Sequence, residues 1–343
     1  MKTRIFNSKF SEIINLVIIL VIVFVGLSIL DPENFLSVSN FVSMMSQMGE
    51  FGLYTLGMLV VMVIGGINLS IIASAAFSGI LIGVIFKRLI IPEMSPIMIF
   101  LVILLAIIVA LAASMIIGLI NGMLVGYLGI SSILVTLGLM TLLEGTSIVI
   151  TKAGGVSGFP DMFLTIANKS LLGIPLPFIL FIVFAVIISI YLNKTSTGFS
   201  IYMIGSNEKV TRFSGINNKV VILKTFLLSG FLSGIGSIIM TARFNSARSD
   251  YGGSYLLQTI LVILLGGVSA SGGSGTVIGV VLAIIILQFL TTGFNILGFS
   301  TFLTIAIWGF MLILAIFMNH YRSKFTRALT IKSLGEKGLS QKD

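Results

Sequence analysis

The stretch that organises this chain is NKTSTGFSIYMIGSNEKVTRFSGINNKV, which runs from Asn193 to Val220. It carries four basic residues and a single acid, Glu208, and it lies between two strongly apolar runs. A basic interruption between apolar runs is typical of a cytoplasmic loop in a membrane protein. The segment therefore gives a reference point from which the runs on both sides can be oriented.

This segment predicts a short helix with defined ends. Ser206 or Asn207 can cap its first turn, because a side-chain oxygen there accepts the free backbone N–H groups. The helix would run to about Ser214, and Gly215 stands where a left-handed C-terminal stop is favoured.

The predicted helix has an apolar stripe. Val210, Phe213 and Ile216 follow one another at three-residue spacing and therefore share one face. Two helical turns are not stable alone in water, because nucleation costs more than so few hydrogen bonds return. The stripe therefore predicts a docking surface, either on lipid headgroups or on another protein.

Composition places the chain in a membrane. Hydrophobic residues make up 57% of the 343, charged residues 9%, and the mean hydropathy is +1.18. The apolar runs are long and unbroken, which predicts a polytopic all-α integral membrane protein. The net charge of +9 is spread over loops, so no nucleic-acid partner is expected. No cysteine is present, which excludes disulfides and thiolate metal sites.

About ten transmembrane helices are predicted, each near the roughly 20 residues that a bilayer requires. The third and eighth could instead be re-entrant. A single transmembrane domain, 12–320, would lie between an N-terminal arm, 1–11, and a tail, 321–343, with 193–220 as its main cytoplasmic loop. The first run is expected to be a transmembrane helix and not a cleaved signal. The predicted spans are about 12–30, 43–64, 70–90, 97–120, 131–150, 172–192, 220–242, 255–270, 276–296 and 301–319.

Basic residues orient these spans. With the N-terminus inside, fourteen of the 20 Lys and Arg residues fall in the arm, between Lys194 and Lys224, or after His320. The opposite side receives six. The positive-inside bias therefore predicts that both termini are cytoplasmic.

Two polar, glycine-rich breaks interrupt the apolar runs. The first, 64–70, contains Asn68 and Ser70, and the second, 265–275, contains Ser269. Unwound backbone at membrane depth is tolerated only against protein or a water-filled cavity, so the breaks indicate either a transport pathway or two tight cytoplasmic turns. Glycines at four-residue spacing, as at 118, 122 and 126, instead predict close helix packing.

Few other residues carry chemistry. Glu144 lies inside the fifth predicted span, where a carboxylate costs roughly 2.5–3.5 kcal/mol unless it is paired, protonated or near water. Asn121 and Asn295 are milder cases, more often hydrogen-bonded between helices. The lone His320 lies at the membrane edge, and no G-x-x-x-x-G-K-[ST] phosphate loop occurs. An enzyme is therefore not expected. The predicted translocation pathway comprises Asn68, Ser70, Asn121, Glu144 and Ser269.

Four motifs in order resemble the ribose-type permeases of bacterial ABC importers. They are GGINLS (65–70), INGMLVGYLGISSILVTLG (120–138), TSTGFSIYMIGSNEKVTRFSGI (195–216) and LLGGVSASGGSGTVIGVVL (264–282). Asn68 stands where that family usually has Asp, and Glu144 stands where Arg is common. The resemblance covers most of the chain.

The resemblance implies a type II-like permease bundle in the bacterial inner membrane. It implies cytoplasmic ATPase subunits that hold ATP and Mg²⁺, a second permease copy or paralogue, an extracytoplasmic solute-binding protein and surrounding lipid, with no cofactor on this chain. The loop helix would then be a coupling helix. The residues implied to couple to the ATPase are Gly205, Ser206, Asn207, Glu208, Val210, Arg212, Phe213 and Gly215.

The favoured function is thus the membrane subunit of an ATP-driven importer for a pentose- or hexose-like solute. Three alternatives stay open at this point: a proton-coupled secondary transporter that uses Glu144, an ABC permease for nucleosides or amino acids, and a non-transporting scaffold that docks a protein through the same loop. The identity of the solute and the choice between an identical and a mixed permease pair are not determined by these residues.

Overall fold

The chain folds as a helical bundle. The computed structural model describes residues 2–91 and 93–317, with the backbone alone for residues 2–12. Helices dominate because a helix satisfies its own backbone hydrogen bonds, which lipid cannot do. The helices are α1 (Lys2–Leu30), α2 (Pro32–Phe35), α3 (Val38–Val63), α4 (Ile71–Leu89), α5 (Pro96–Gly126), α6 (Ser132–Thr151), α7 (Asp161–Asn168), α8 (Leu176–Lys194), α9 (Ser196–Ser206), α10 (Glu208–Phe213), α11 (Asn218–Phe244), α12 (Tyr255–Leu265), α13 (Val277–Ile296) and α14 (Thr301–Phe317).

Two small antiparallel pairs of strands tie connections together at one end of the bundle. β1 (Val156–Ser157) pairs with β4 (Ser246–Ala247), and β2 (Ser170–Leu171) pairs with β3 (Ile174–Pro175). The connection between α6 and α8 contains β1 followed by α7. The Phe163 side chain of α7 is fully buried and packs edge-on against the Phe86 ring of α4, with the ring centroids 5.1 Å apart.

Seven helices among residues 2–91 and 93–317 are both long enough and apolar enough to cross a membrane. They are α1 from Ile13 onward, α4, α5, α6, α8, α11 and α13. α3 has 26 residues, but Gln47 and Glu50 make its first half more polar. The re-entrant alternative for the third predicted span is not needed, because α4 is a continuous helix of 19 residues.

The eighth predicted span, 255–270, is wrong in length. α12 has 11 residues and ends at Leu265, where Gly266 and Gly267 turn the chain. At 1.5 Å per residue it covers about 16 Å, roughly half of the hydrocarbon core. The ten-span topology and the cytoplasmic placement of both termini stay predictions, and the predicted tail, 321–343, and His320 lie outside the described residues.

α3 is the central helix of the bundle. Its second half is buried on all sides, and it contacts α8, α11, α12 and α13. Glycines allow this close packing: a Cβ on Gly49 would meet the backbone of Pro177, and one on Gly52 would overlap the ring of Phe181. A helix enclosed by its neighbours in this way can contribute residues to the interior of the bundle.

α5 and α11 pack through the glycines that the sequence singled out. A Cβ on Gly118 would lie 2.5 Å from the Phe226 carbonyl oxygen, and one on Gly122 would lie 2.9 Å from the Leu223 Cα. On the other helix, Gly230 lies against the backbone of Ser114. The prediction that four-residue glycine spacing marks helix packing is confirmed here.

Candidate functional site

The segment between α8 and α11 folds into two short helices. Asn207 caps α10 by accepting hydrogen bonds from the backbone N–H groups of Lys209 and Val210, both at 3.1 Å. Gly215 closes it with a φ of +80°, in the left-handed region. The predicted N-cap and C-terminal stop are therefore confirmed.

Sequence reasoning missed α9, which precedes α10. Its N-cap is Thr195, whose hydroxyl accepts a hydrogen bond of 3.0 Å from the backbone N–H of Gly198. Ile201 and Ile204 are buried at three-residue spacing. This cap and spacing were readable in the sequence, but the surrounding polar residues made the stretch resemble an extended loop.

α10 presents apolar side chains to the outside of the bundle. The side chain of Phe213 is 92% exposed and that of Val210 is 54% exposed. The predicted stripe is only partly correct, because Ile216 turns inward and packs against the main core. Glu208 and Arg212 are exposed and form no ion pair within the described part of the chain.

An apolar groove runs along the junction of α9 and α10. Its volume is about 320 Å³, and at one side it is flanked by Phe199, which is 65% exposed. Phe199 and Val210 leave apolar surface exposed at this groove, and contiguous exposed apolar surface is typical of an interaction site. The groove is lined by Phe199, Tyr202, Met203, Ser206, Asn207, Val210 and Thr211.

α9 sits firmly on the ends of the membrane helices. A Cβ on Gly205 would clash with the Val63 carbonyl oxygen at the end of α3 and with the backbone N of Gly273. The Tyr202 hydroxyl donates a hydrogen bond of 2.9 Å to the carbonyl oxygen of Gly275. α9 is therefore in backbone contact with the end of α3 and with the second polar break, which leads into α13.

The two polar breaks also contact each other. The backbone N–H of Gly273 donates to the Val63 carbonyl oxygen over 2.8 Å, and a Cβ on Gly272 would lie 2.7 Å from the Cα of Gly65. Gly65 and Gly272 have positive φ values of +91° and +82°, which favour glycine. The breaks are therefore paired turns at the same end of the bundle as α10.

Three of the predicted pathway residues form one buried hydrogen-bond network. The Asn121 side-chain amide donates to the Ser70 hydroxyl at 2.9 Å, and that hydroxyl donates to the Asn68 side-chain oxygen at 2.8 Å. Asn68 in turn donates to the Ser229 hydroxyl on α11 at 3.0 Å. The four side chains are at most 2% exposed. They connect the first break with α5 and α11 inside the protein.

Ser269 lies apart from this network, within the second break. Its hydroxyl is 3.0 Å from that of Ser271, and its backbone N–H donates to the Ser274 carbonyl oxygen. These contacts shape the turn.

Glu144 lies in a third place, on an exposed face of α6. It lines a cavity of about 320 Å³ and forms no ion pair with any side chain that the structure describes. Asp250, on the connection before α12, lines the same cavity. The predicted pathway residues therefore do not form one cluster; the cavity is lined by Leu69, Ile72, Ala73, Met140, Glu144, Ile148, Ser249, Asp250, Tyr251, Gly253 and Leu256.

Sequence reasoning also missed a buried ion pair. Arg243 on α11 donates to both carboxylate oxygens of Glu50 on α3, at 3.0 and 2.6 Å, and the Tyr255 hydroxyl donates to Glu50 at 3.0 Å. The Glu50 side chain is 0% exposed, whereas that of Arg243 is 21% exposed. An acid inside an apolar span and an arginine at the end of another were the available signals.

Asn295 belongs to a separate polar cavity between α3, α12, α13 and α14. This cavity has a volume of about 200 Å³ and also contains Gln47, Gln258 and Gln288. Asn295 is exposed. Its side chain forms no hydrogen bond with another described residue, so the interhelical bond expected of both Asn121 and Asn295 is not formed by Asn295.

Comparison with known proteins gives consistent matches. The profile of the family described as branched-chain amino acid transport system / permease component matches residues 40–316. The autoinducer 2 import system permease protein LsrD of Yersinia enterocolitica is 30% identical over 303 residues, which cover 87% of this chain and 88% of that protein. The ribose import permease protein RbsC of Bacillus subtilis is 33% identical over 317 residues, covering 92% and 94%. No solved structure matches.

Proposed function

This chain belongs to the family of branched-chain amino acid transport system permease components, and from that premise we propose that it is the membrane-spanning subunit of an ATP-driven importer for a sugar-like solute. The family and the seven apolar helices make it a multi-pass protein of the bacterial inner membrane. It is a transporter subunit rather than an enzyme.

The observation that carries the proposal is the contrast between the two faces of α9 and α10. One face exposes Phe199 and Val210 at an apolar groove, and it exposes Phe213 three residues further along α10. The other places Gly205 against the backbone at the end of α3 and at the second break. A partner bound to the exposed face can therefore push directly on membrane helices, as an energy-coupling element requires.

The partner is proposed to be a cytoplasmic ATPase, which would hold ATP and Mg²⁺. Closure of the ATPases would move α9 and α10, and the paired turns beneath them would tilt α3 and α13. A second permease copy or paralogue would complete the pathway, and an extracytoplasmic binding protein would deliver the solute. In this mechanism the permease supplies alternating access and binds no cofactor of its own.

The predicted pathway residues take separate roles in this proposal. In the network of Asn68, Ser70 and Asn121, each side chain is hydrogen-bonded to another protein side chain, so we assign it to holding the helices beside the pathway. Glu144 lines an open cavity and is assigned to the pathway surface. Ser269 shapes the turn under α9. A sugar-like solute is favoured because LsrD and RbsC are import permeases for autoinducer 2 and ribose.

The test compares two variants of the full chain in which an exposed apolar side chain is replaced by aspartate. Each variant is produced together with the ATPase and the binding protein. Phe213→Asp alters the exposed face of α10, and the matched control Leu172→Asp alters a side chain that is 97% exposed at the other end of α8. We expect Phe213→Asp to lose both ATPase co-purification and ATP-driven uptake of D-ribose or another monosaccharide. Leu172→Asp should keep both.

A different set of results would favour the alternative function, a proton-coupled transporter. In that case uptake would be abolished by a protonophore, would persist without ATP, and would be lost in Glu144→Gln while Phe213→Asp stayed active. If Phe213→Asp retains the ATPase and full uptake, the proposed coupling role of α10 is wrong.

A further inference from the structure

A second cavity, away from Glu144 and from α10, is lined almost entirely by uncharged hydrogen-bonding and aromatic side chains. It lies between α3, α12, α13 and α14 and measures about 200 Å³. No Lys, Arg, Asp, Glu or His is among its lining residues, all of which are described. Its lining comprises Gln47, Phe51, Ser254, Tyr255, Gln258, Leu287, Gln288, Thr291, Asn295, Thr301, Thr304, Ile305 and Trp308.

The amides in this cavity are poorly satisfied by the protein. The Gln288 amino group lies 3.3 Å from the Gln47 side-chain oxygen and 3.5 Å from the Thr292 hydroxyl, both long for hydrogen bonds. Gln258 and Gln288 are only 8% and 6% exposed. Buried amides normally form short, well-aligned hydrogen bonds, so the Gln288 amide can form a further hydrogen bond with a ligand.

Trp308 adds a buried donor at the same place. Its ring is 2% exposed, it lines the cavity, and its indole Nε1–H has no hydrogen-bond partner among the described residues. A buried donor without a partner is destabilising, because the hydrogen bond that it made to water is not replaced. A ligand oxygen or a water in the cavity would remove that cost.

The chemistry of the lining selects the class of ligand. Amides and hydroxyls both donate and accept, which matches a molecule that carries several hydroxyl groups. The aromatic faces of Phe51, Tyr255 and Trp308 offer apolar surface for its C–H groups. A zwitterionic amino acid or a sugar phosphate would bring charges that the lining cannot pair, and burying an unpaired charge is costly.

The position of the cavity fits a solute on its way through the bundle. Asn295 and Thr301 lie at the connection between α13 and α14, at the end of α13 opposite the second break and α10. From there the cavity extends to Trp308, seven residues into α14, or about 10 Å along the helix axis. Its volume is below the roughly 300–1,000 Å³ of typical drug-sized sites, which limits an occupant to a single small ring.

We propose that this cavity is a binding subsite for a neutral monosaccharide, held by Gln47, Gln258, Gln288 and Thr304 and contacting Trp308. The proposal rests on the proposed function, since it names the solute class that the permease itself accepts. It also explains why a cluster of glutamines occupies helices α3, α12 and α13 where apolar side chains would pack more tightly.

The chain offers a direct probe of this subsite, because Trp308 is its single tryptophan. We would reconstitute the full chain alone in proteoliposomes and titrate D-ribose and D-glucose while recording tryptophan emission. The comparators are L-leucine and ribose 5-phosphate, which test the exclusion of charge. A saturable change in emission with a neutral monosaccharide, and none with either charged comparator, is expected.

Matched variants locate the response. Thr304→Val removes one cavity hydroxyl at nearly constant shape, and Thr146→Val makes the same change on an exposed face of α6. Gln288→Leu removes the central amide. We expect Gln288→Leu to weaken apparent sugar affinity at least tenfold and Thr304→Val severalfold, with Thr146→Val unchanged. Thermal unfolding of each variant identifies any that fails to fold, and Gln258→Leu then replaces Gln288→Leu.

Two results would overturn the inference. One is a flat titration with every monosaccharide while the same chain, with its partners, still imports one of them; the importer function would then stand without this subsite. The other is an emission change that persists unaltered in Gln288→Leu, Gln258→Leu and Thr304→Val. Conversely, a sugar response that maps to the cavity in a protein without ATP-driven uptake would retain the subsite and refute the importer function.

Discussion

Replacing Arg243 by methionine should destabilise the bundle more than replacing its partner Glu50 by glutamine. The Glu50 carboxylate is 0% exposed and accepts two hydrogen bonds from Arg243 and one from Tyr255. Arg243→Met leaves that carboxylate buried with one hydroxyl, and breaking a buried pair in this way costs about 3–5 kcal/mol.

Replacing Glu50 instead of Arg243 leaves a less buried charge without its partner. In Glu50→Gln, the Arg243 guanidinium is left without a counter-ion, but its side chain is 21% exposed and can reach water or lipid headgroups. The expected cost is therefore close to that of a lost hydrogen bond to a charged group, about 1.5–3 kcal/mol. The double variant carries no charge at the site, so it should be more stable than Arg243→Met alone.

The free energy of unfolding of all four proteins can be measured in mixed micelles by titration with a denaturing detergent. The control is Arg248→Met, which breaks an ion pair to Asp250 whose two side chains are 49% and 64% exposed. A surface pair of this kind is worth only about 0.2–1 kcal/mol. If the double variant is less stable than Arg243→Met, the argument from a stranded buried charge is refuted.

Three further predictions concern packing, capping and the buried network. Gly118→Val should cost about 1–3 kcal/mol by forcing α5 away from α11, whereas Gly138→Val, where nothing lies within 4 Å, should be neutral in thermal unfolding. Asn207→Ala should lower the stability of α10 by about 0.5–2 kcal/mol, because the N-cap hydrogen bonds are lost. Amide hydrogen exchange over residues 208–213 should then be faster, and unchanged exchange would contradict the prediction. Asn68→Leu should cost about 1–3 kcal/mol by leaving buried hydroxyls unpaired, and equal detergent stability would disprove this.

Local features of the chain were determined by the sequence alone. The long apolar runs become helices because lipid leaves the backbone no other partner. The cap at Asn207 and the stop at Gly215 were correctly placed, since both depend on side-chain and backbone chemistry within a few residues. The glycine face of α5 was likewise readable, because four-residue spacing fixes one side of a helix.

Relations between distant residues were decided only by the tertiary structure. Glu50 and Arg243 are 193 positions apart, and no periodicity links an acid in one helix to an arginine at the end of another. The same holds for the contact of α9 with the end of α3 and the second polar break, and for the cavity around Trp308, which is formed by four helices. Hydropathy identifies which residues enter the membrane, but it does not specify helix neighbours or rotation. Those are set by close packing and by the pairing of buried polar groups.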